Sequence, residues 1–387
     1  MKNNKKAIRG LLMVSVSAVF LGAGQANSAT FSGLGAFASN ATGISADGST
    51  VIGYGPNALG TEAFRWTQSG GLQSLGVISN GVDHNSYAGA VSADGSVIAG
   101  YSTTTSGAFN AFRWTQATGM VSLGGVGGND GFTRADDMSD DGSTIVGYSQ
   151  TAAAPNGAGY RWNQANGIEN IGTLSAPYNV WSWARGISTD GSTIVGQSNS
   201  FSSGHAFRWS ESGGFVDLGV AAGASSSGAT DIANNGTIVG GGKVGTSNLA
   251  MIRTEVGGWE ILGTLAGYNN SSEAGISADG SLVYGMVFNL PTTSTPFTQE
   301  GMVWDSNHGM RFADDWLTQD HGLDLSDWTI QYVSGISDDG LVAVGYGLHN
   351  GNVEAWVADL RPVPIPGAVW LFGSAIAGLS VVGRKRK

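Results

Sequence analysis

The chain of 387 residues contains no cysteine. Neither a disulfide framework nor a thiolate metal site is therefore open to it. Proline is scarce, with 8 copies, three of them crowded into Pro362, Pro364 and Pro366. Charged residues make up only 12%, and of 18 Lys and Arg, eight stand in the first nine and last four positions. Residues 30–383 carry 10 basic against 29 acidic groups, a net of −19, and Lys243 is the only lysine among them. Such a balance argues against nucleic acid as a partner, because that affinity comes from Lys and Arg neutralising phosphates. The five histidines (His84, His205, His308, His321 and His349) never fall into a metal-ligand spacing such as His-Glu-x-x-His. No Gly-x-Ser-x-Gly elbow, phosphate loop or dinucleotide fingerprint stands between a strand and a helix, so the 63 glycines have no phosphate-binding context. No cofactor, no metal and no catalytic residue is expected.

What the chain does have is repetition. One phrase returns seven times: GISADGSTVIGY (43–54), AVSADGSVIAGY (90–101), DMSDDGSTIVGY (137–148), GISTDGSTIVGQ (186–197), DIANNGTIVGG (231–241), GISADGSLVYG (275–285) and GISDDGLVAVGY (335–346). Its turn residues are Asp47, Asp94, Asp141, Asp190, Asn235, Asp279 and Asp339, spaced 47, 47, 49, 45, 44 and 60 residues apart. A period in the forties built from short strands marks an array of blades or coils.

Each copy reads as four strands, in the first at 41–45, 50–54, 63–67 and 72–75. The Asp-Gly between the first two predicts a type I′ hairpin, with positive φ at both positions. The third piece recurs as AFRWT (63–67, 111–115), GYRWN (159–163) and AFRWS (206–210), and the fourth as LQSLG (72–76) and MVSLG (120–124). Four antiparallel strands per repeat is the size of a propeller blade. The expected fold is all-β, a seven-bladed β-propeller over 30–361. Residues 30–35 (TFSGLG) resemble an isolated fourth strand, whereas the last copy stops after EAWVADL (354–360) without one. Pairing the two closes the ring and removes an open edge, an offset for which a linear solenoid would have no use. The surplus of the sixth interval falls in 291–299 and 313–328, read as loop extensions with His308 and His321 solvated.

The ends carry addresses. Lys2, Lys5, Lys6 and Arg9 precede an apolar run from Leu11 to about Ala23 and then small residues, which makes 1–29 a secretory signal peptide, cut after Ser28 or after Ala29. Residues 362–387 join a proline motif (Val363, Pro364, Ile365, Pro366), an apolar stretch of about transmembrane length and a basic end (Arg384, Lys385, Arg386, Lys387), which by themselves read as a one-pass anchor. VPIPGAVWLFGSAIAGLSVVGRKRK (363–387) closely resembles the PEP-CTERM bacterial sorting tails, with Ile365 where the family's Val-Pro-Glu-Pro has Glu. The Ala-Phe-Arg-Trp and Ile-Ser-x-Asp-Gly phrases, and His205-Ala206-Phe207 literally, are similar to the HAF repeat of bacterial extracellular proteins. These resemblances imply Sec export from a Gram-negative-type bacterium and a transient membrane anchor. They also imply processing by an exosortase-type transpeptidase and release to the cell surface or matrix.

Trp66, Trp114, Trp162, Trp209 and Trp304 share one repeat position and read as packing between blades. Arg65, Arg113, Arg161 and Arg208 alternate with them and read as partners of carbonyls or turn carboxylates. The six Asp-Gly turns offer one carboxylate each and the seventh carries Asn235, too few for calcium, which takes six to eight oxygens. The copies differ most just before each first strand, where the residues would ring a channel mouth. The candidate ligand-binding set is Tyr87, Arg134, Asp136, Trp181, Trp183, Arg185 and Glu273, with His84, Asn85, Asp137, Asp231, Asn270 and Tyr332 nearby. Aromatic faces among carboxylates, amides and Arg suit a glycan such as an exopolysaccharide, held by a non-catalytic interaction module. The alternative is a carbohydrate-active enzyme, a glycosidase or lyase using acids such as Asp136 and Glu273.

Overall fold

A computed structural model describes residues 29–35, 39–78, 84–128, 131–174, 181–200 and 203–361. The leader ahead of Ala29 and the whole sorting signal, Val363 to Lys387, lie outside the described residues.

The repeats fold as four-stranded antiparallel sheets. The first copy forms Asn40–Ile44, Thr50–Asn57, Gly60–Thr67 and Gly71–Gly76, in that spatial order. The strands run a few residues longer than the pattern predicts, because pairing continues to Asn57↔Gly60 at the hairpin tip. A short parallel bridge, Gly60↔His84 and Thr61↔Asn85, ties this unit to the next. The last copy supplies only Trp328–Ile336, Val342–His349 and Asn352–Asp359. Its fourth strand is Thr30–Gly33, antiparallel to Asn352–Asp359 with Thr30 opposite Asp359 and Gly33 opposite Trp356.

The Asp-Gly turns are not type I′. Gly48 has φ +71°, but Asp47 is absent from the positive-φ residues, of which, among the described residues, Asn350 alone is not glycine. The Gly48 N–H instead closes a turn on the Ser45 carbonyl at 2.9 Å, a type I-like turn with glycine following in the left-handed region. The preceding Ser explains the choice. Ser45 Oγ donates to Asp47 Oδ1 at 2.6 Å and accepts from the Thr50 N–H at 3.0 Å, while the Ser49 N–H donates to Asp47 Oδ1 at 2.9 Å. The same network recurs at Asp141, whose carboxyl is held below its ordinary range by hydrogen bonds from Ser139 and from the Ser143 backbone. These carboxylates are therefore turn acceptors. Neighbouring turns also hydrogen-bond to each other: Asp47 N–H to the Ala93 carbonyl, Ala93 to Asp140, Asp140 to Thr189, and Asp338 back to Ala46.

Sheets pack face to face through the second and third strands. Ile52 and Ala63 of the first meet Ala88, Ile98 and Phe112 of the second. Val51 and Phe64 of the first also meet Val342, Val344 and Ala355 of the last, so the packing runs on from the final sheet to the first. Phe64, Phe112 and Phe207 are fully buried at one repeat position, each contributing about 1.5–3 kcal/mol by leaving water. The repeated Trp side chains pack in these clusters as expected. Two of the Arg beside them also stack on indoles, and Arg161 meets a turn carboxylate, Glu211, as the sequence reading expected. Arg65 lies over Trp114 at 5.8 Å and Arg161 over Trp209 at 5.3 Å, each reaching the next sheet's indole. Arg161 also bridges Glu169 and Glu211 at 3.0 and 2.9 Å.

The sixth-interval surplus is only half loop. Ala313–Asp315 is a short helical turn continued by Trp316–Asp320, and Ala313, Trp316, Leu317, Leu323 and Leu325 are buried with Ile330 and Trp356. The spaced apolar residues fill the gap before the last sheet. His321 is accordingly only half solvated: it stands edge-on to Trp316 at 5.2 Å, and burial lowers its pKa.

Candidate functional site

The first strand of every sheet contains a β-bulge at the same repeat position. The register shifts leave Thr42, Gly89, Asp136, Arg185, Thr230, Ala274 and Ser334 unpaired, each five residues before its turn Asp or Asn. A bulge re-aims a side chain out of the pleat. All seven converge on one cavity of about 320 Å³. Drawing one residue from each sheet makes this the central cavity, and its chemistry is uneven. Gly89 and Ala274 are inert, Thr42, Thr230 and Ser334 offer hydroxyls, and Asp136 and Arg185 carry charge.

Charged partners cluster on the third and fourth sheets. Arg134 Nε donates to Asp136 Oδ1 at 2.7 Å and its Nη2 pairs with the same oxygen. Trp183 Nε1 donates to Asp136 Oδ2 at 2.8 Å. The guanidinium carbons of Arg134 and Arg185 lie 4.6 and 4.0 Å from the Trp183 ring. Burial raises the Asp136 pKa, against Arg134 and the hydrogen bonds that favour the carboxylate. Asp136 is thus a counter-ion with both oxygens committed.

Two further carboxyls, Asp137 and Asp231, line the same cavity and do a backbone job. Asp137 accepts from the Met138 and Ile187 N–H groups at 2.8 and 2.9 Å, and Asp231 from Ile232 and Ile276 at 2.7 and 3.0 Å. Each spans from its own strand to the next sheet's, satisfying donors there. Burial, and then the nearby Asp231, push Asp137 well above the ordinary carboxylate range.

A second cavity of about 350 Å³ shares Arg185 and Thr230 with the first and is lined also by Gln197, Lys243, Glu273 and Phe288. Glu273 Oε1 accepts from Thr230 Oγ1 at 2.7 Å, and burial pushes its carboxyl up to about 7. A proton held by the folded protein and released by the unfolded one makes stability fall as pH rises from about 4.5 to about 7. Glu273→Gln keeps the Thr230 bond without the charge. It should leave thermal stability unchanged below pH 4.5 and raise it at pH 8, by up to about 3 kcal/mol. Melting curves at pH 4 and pH 8 check this; an equal shift at both sinks it.

Beyond the bulges, each first strand pairs with its second at a position where the copies disagree: Tyr87 with Tyr101, Arg134 with Tyr148, Asn40 with Tyr54 and Tyr332 with Tyr346. The rings touch in sequence across sheets. Tyr54–Tyr87 centroids are 5.0 Å apart, Tyr87–Tyr101 4.8 Å, Tyr101–Phe132 6.1 Å, Phe132–Tyr148 6.3 Å and Tyr148–Trp183 5.6 Å. These residues are half-buried and Phe132 is exposed. Tyr54, Tyr101, Tyr148 and Tyr346 are not among the residues the sequence singles out, because each ends a recurring Gly-Tyr phrase and the candidates were sought where the copies differ. Their signal was period-two pairing with the variable position opposite.

Of the sequence candidates, Arg134, Asp136, Asp137, Trp183, Arg185 and Asp231 meet in the central cavity, and Glu273 faces the adjoining one. Tyr87 and Tyr332 belong to cross-strand tyrosine pairs near the mouth. Trp181 lines neither cavity, and its carbonyl accepts from Ser198 Oγ at 3.0 Å. Asn85 and Asn270 brace neighbouring hairpins, accepting from the Thr61 and Asn248 N–H groups at 3.0 and 2.9 Å. His84 contributes backbone to the parallel bridge.

No family model and no curated protein matches this sequence. Its fold is similar to that of solved β-propellers. An oligogalacturonate lyase from Vibrio parahaemolyticus has a TM-score of 0.53 at 10% identity, over 86% of this chain and 93% of that one. The β-propeller domain of the Trilobed protease from Pyrococcus furiosus has 0.49 at 12%, over 81% and 93%. A putative TolB from Agrobacterium tumefaciens has 0.45 at 14%, over 76% and 94%. At such identities the likeness is one of fold alone: the chain is a β-propeller.

Proposed function

We propose that this β-propeller has seven blades closed by its N-terminal strand and works as an exported, non-catalytic module. It binds a glycan of the cell surface or exopolysaccharide matrix across one mouth of its channel. The export and sorting signals of the sequence support the location. The run of touching rings from Tyr54 to Trp183 carries the ligand class. Half-buried aromatic rings beside Thr, Ser and Arg donors fit the apolar faces and hydroxyl rims of sugars, and few other soluble ligands need both.

The enzymatic alternative has one observation in its favour, the Glu273 carboxyl held at about 7, a value suited to a general acid. Against it, the nearest candidate for the second group, Asp136, already accepts from Arg134 and Trp183, which lowers its strength as a base or nucleophile. A glycan array probed with the full chain, followed by a reducing-sugar assay on every ligand found, separates the two. The module binds without product, and Tyr101→Ala weakens binding about tenfold, in line with about 1–1.5 kcal/mol for a lost aromatic contact. Product that disappears in Glu273→Gln makes the chain an enzyme.

A further inference from the structure

Arg185 stands where the two cavities meet, and its surroundings are those of a cation kept for a ligand. It is the bulged residue of its strand, so its side chain leaves the pleat for the channel. Its guanidinium rests on Trp183 at 4.0 Å, and Trp183 is itself anchored to Asp136. The contrast with Arg134 is informative. Arg134 has a hydrogen-bonded carboxylate in Asp136, whereas the buried Nε of Arg185 has no hydrogen-bond partner. The two carboxylates that influence Arg185 electrostatically are engaged elsewhere, Asp136 with Arg134 and Trp183, and Glu273 with Thr230.

Leaving a desolvated guanidinium donor unpaired costs stability unless something pairs with it. The second cavity adds Lys243 at its exposed side, the one lysine between residues 30 and 383. In a region with a net charge of −19, that lysine and the arginine whose Nε is unpaired line the same 350 Å³ space, with Glu273 as the acidic group beside them.

We propose that Arg185 and Lys243 form an anion subsite that receives the carboxylate of an acidic sugar, Arg185 by a two-pronged hydrogen bond and Lys243 as a point charge at the rim. This rests on the glycan reading and narrows it to uronate-bearing chains whose sugar rings lie along the aromatic mouth. A free inorganic anion would use the same donors, so the test includes one.

Calorimetric titration of the full chain with oligoglucuronate, with a neutral glucan of equal length and with sodium sulfate separates these cases. Oligoglucuronate should bind at least tenfold more tightly than the glucan. Arg185→Gln should bring the ratio of the two sugar affinities to about one, and Lys243→Gln, on the exposed side, should reduce that ratio about threefold. Equal affinity for both sugars, unchanged in both variants, overturns the anion subsite and leaves glycan binding standing. Sulfate binding that depends on Arg185 without sugar binding overturns the uronate assignment, and no binding of any probe overturns the glycan reading with it. Should Arg185→Gln fail to fold, the Arg185 Nε–Hε resonance of the unsubstituted chain decides. It should shift with oligoglucuronate and stay in place with the glucan; the reverse overturns the proposal.

Discussion

Removing residues 30–34 should lower the unfolding midpoint by about 10 °C or more, and the truncated chain should self-associate as its concentration rises. The segment supplies the whole outer strand of the last sheet, from Thr30 opposite Asp359 to Gly33 opposite Trp356. The Leu34 N–H continues the ladder to the Ala355 carbonyl at 2.9 Å, and the Gly35 N–H reaches Glu354 Oε1 at 2.8 Å. Phe31 covers Trp356 at 5.5 Å between centroids and meets Trp328 edge-on at 5.1 Å. Without it, the fully buried Trp356 and the edge of Asn352–Asp359 face water. Phe31→Ala isolates the packing share and should cost about 2 kcal/mol, less than a fully buried Phe because Phe31 is half-buried. Circular dichroism melting and light scattering read both effects. If full and truncated chains melt together, the last sheet needs no fourth strand and the closure argument is lost.

This pairing was legible in the sequence because it is a matter of counting. A fourth strand missing at one end and a spare strand at the other admit few arrangements once the period is known. The four-strand repeat and the packing role of Trp114 and Trp162 were legible for the same reason, since recurrence at a fixed offset reports a shared environment. The Asp-Gly turn was misread because two residues were taken as the whole motif, whereas the Ser two positions before each Asp sets the turn by accepting from the strand that follows. The segment 313–328 was misread because insertion length was allowed to outweigh the apolar spacing of Trp316, Leu317, Leu323 and Leu325.

The site was half legible. Disagreement among the copies pointed to Arg134, Asp136, Trp183 and Arg185, and these residues do share a cavity. It could not say that Asp136 would be consumed by Arg134 while Arg185 kept a free donor, since both lie at charged positions on adjacent repeats. Nor could it find Tyr101 or Tyr148, because recurrence had been equated with scaffold. A residue that recurs around a channel, as Tyr does in four of the seven copies, serves structure and surface at once.

The bulges that build this channel depend on the glycine in the middle of each second strand, and Gly100→Ala should show it. A methyl group there would overlap the Tyr87 carbonyl oxygen and come within 3.0 Å of both the Ala88 Cα and the Phe112 ring. The bulge pushes that carbonyl toward its partner strand while Phe112 closes over the same point from the third strand. Gly53, Gly147, Gly196, Gly285 and Gly345 likewise face the carbonyl oxygens of Asn40, Arg134, Trp183, Ser272 and Tyr332. None of these glycines has a positive φ, so the requirement is space and not handedness. Backbone cannot rotate away as a side chain can, so relief must come from straightening the bulge or displacing the ring. The expected cost is about 3 kcal/mol or more, at the upper end for overpacking, with a midpoint lowered by roughly 5–10 °C. Gly43→Ala is the control: its added methyl would meet only Ile52 at 3.6 Å, and the second sheet already carries Ala90 at that position. It should change stability by no more than about 0.5 kcal/mol. Because Gly100 fixes the backbone that presents Tyr87, its substitution should also weaken glycan binding in the fraction that remains folded, where Gly43→Ala does not. Equal melting of the two variants would mean that the bulge yields easily, and the second-strand glycines would then need another explanation.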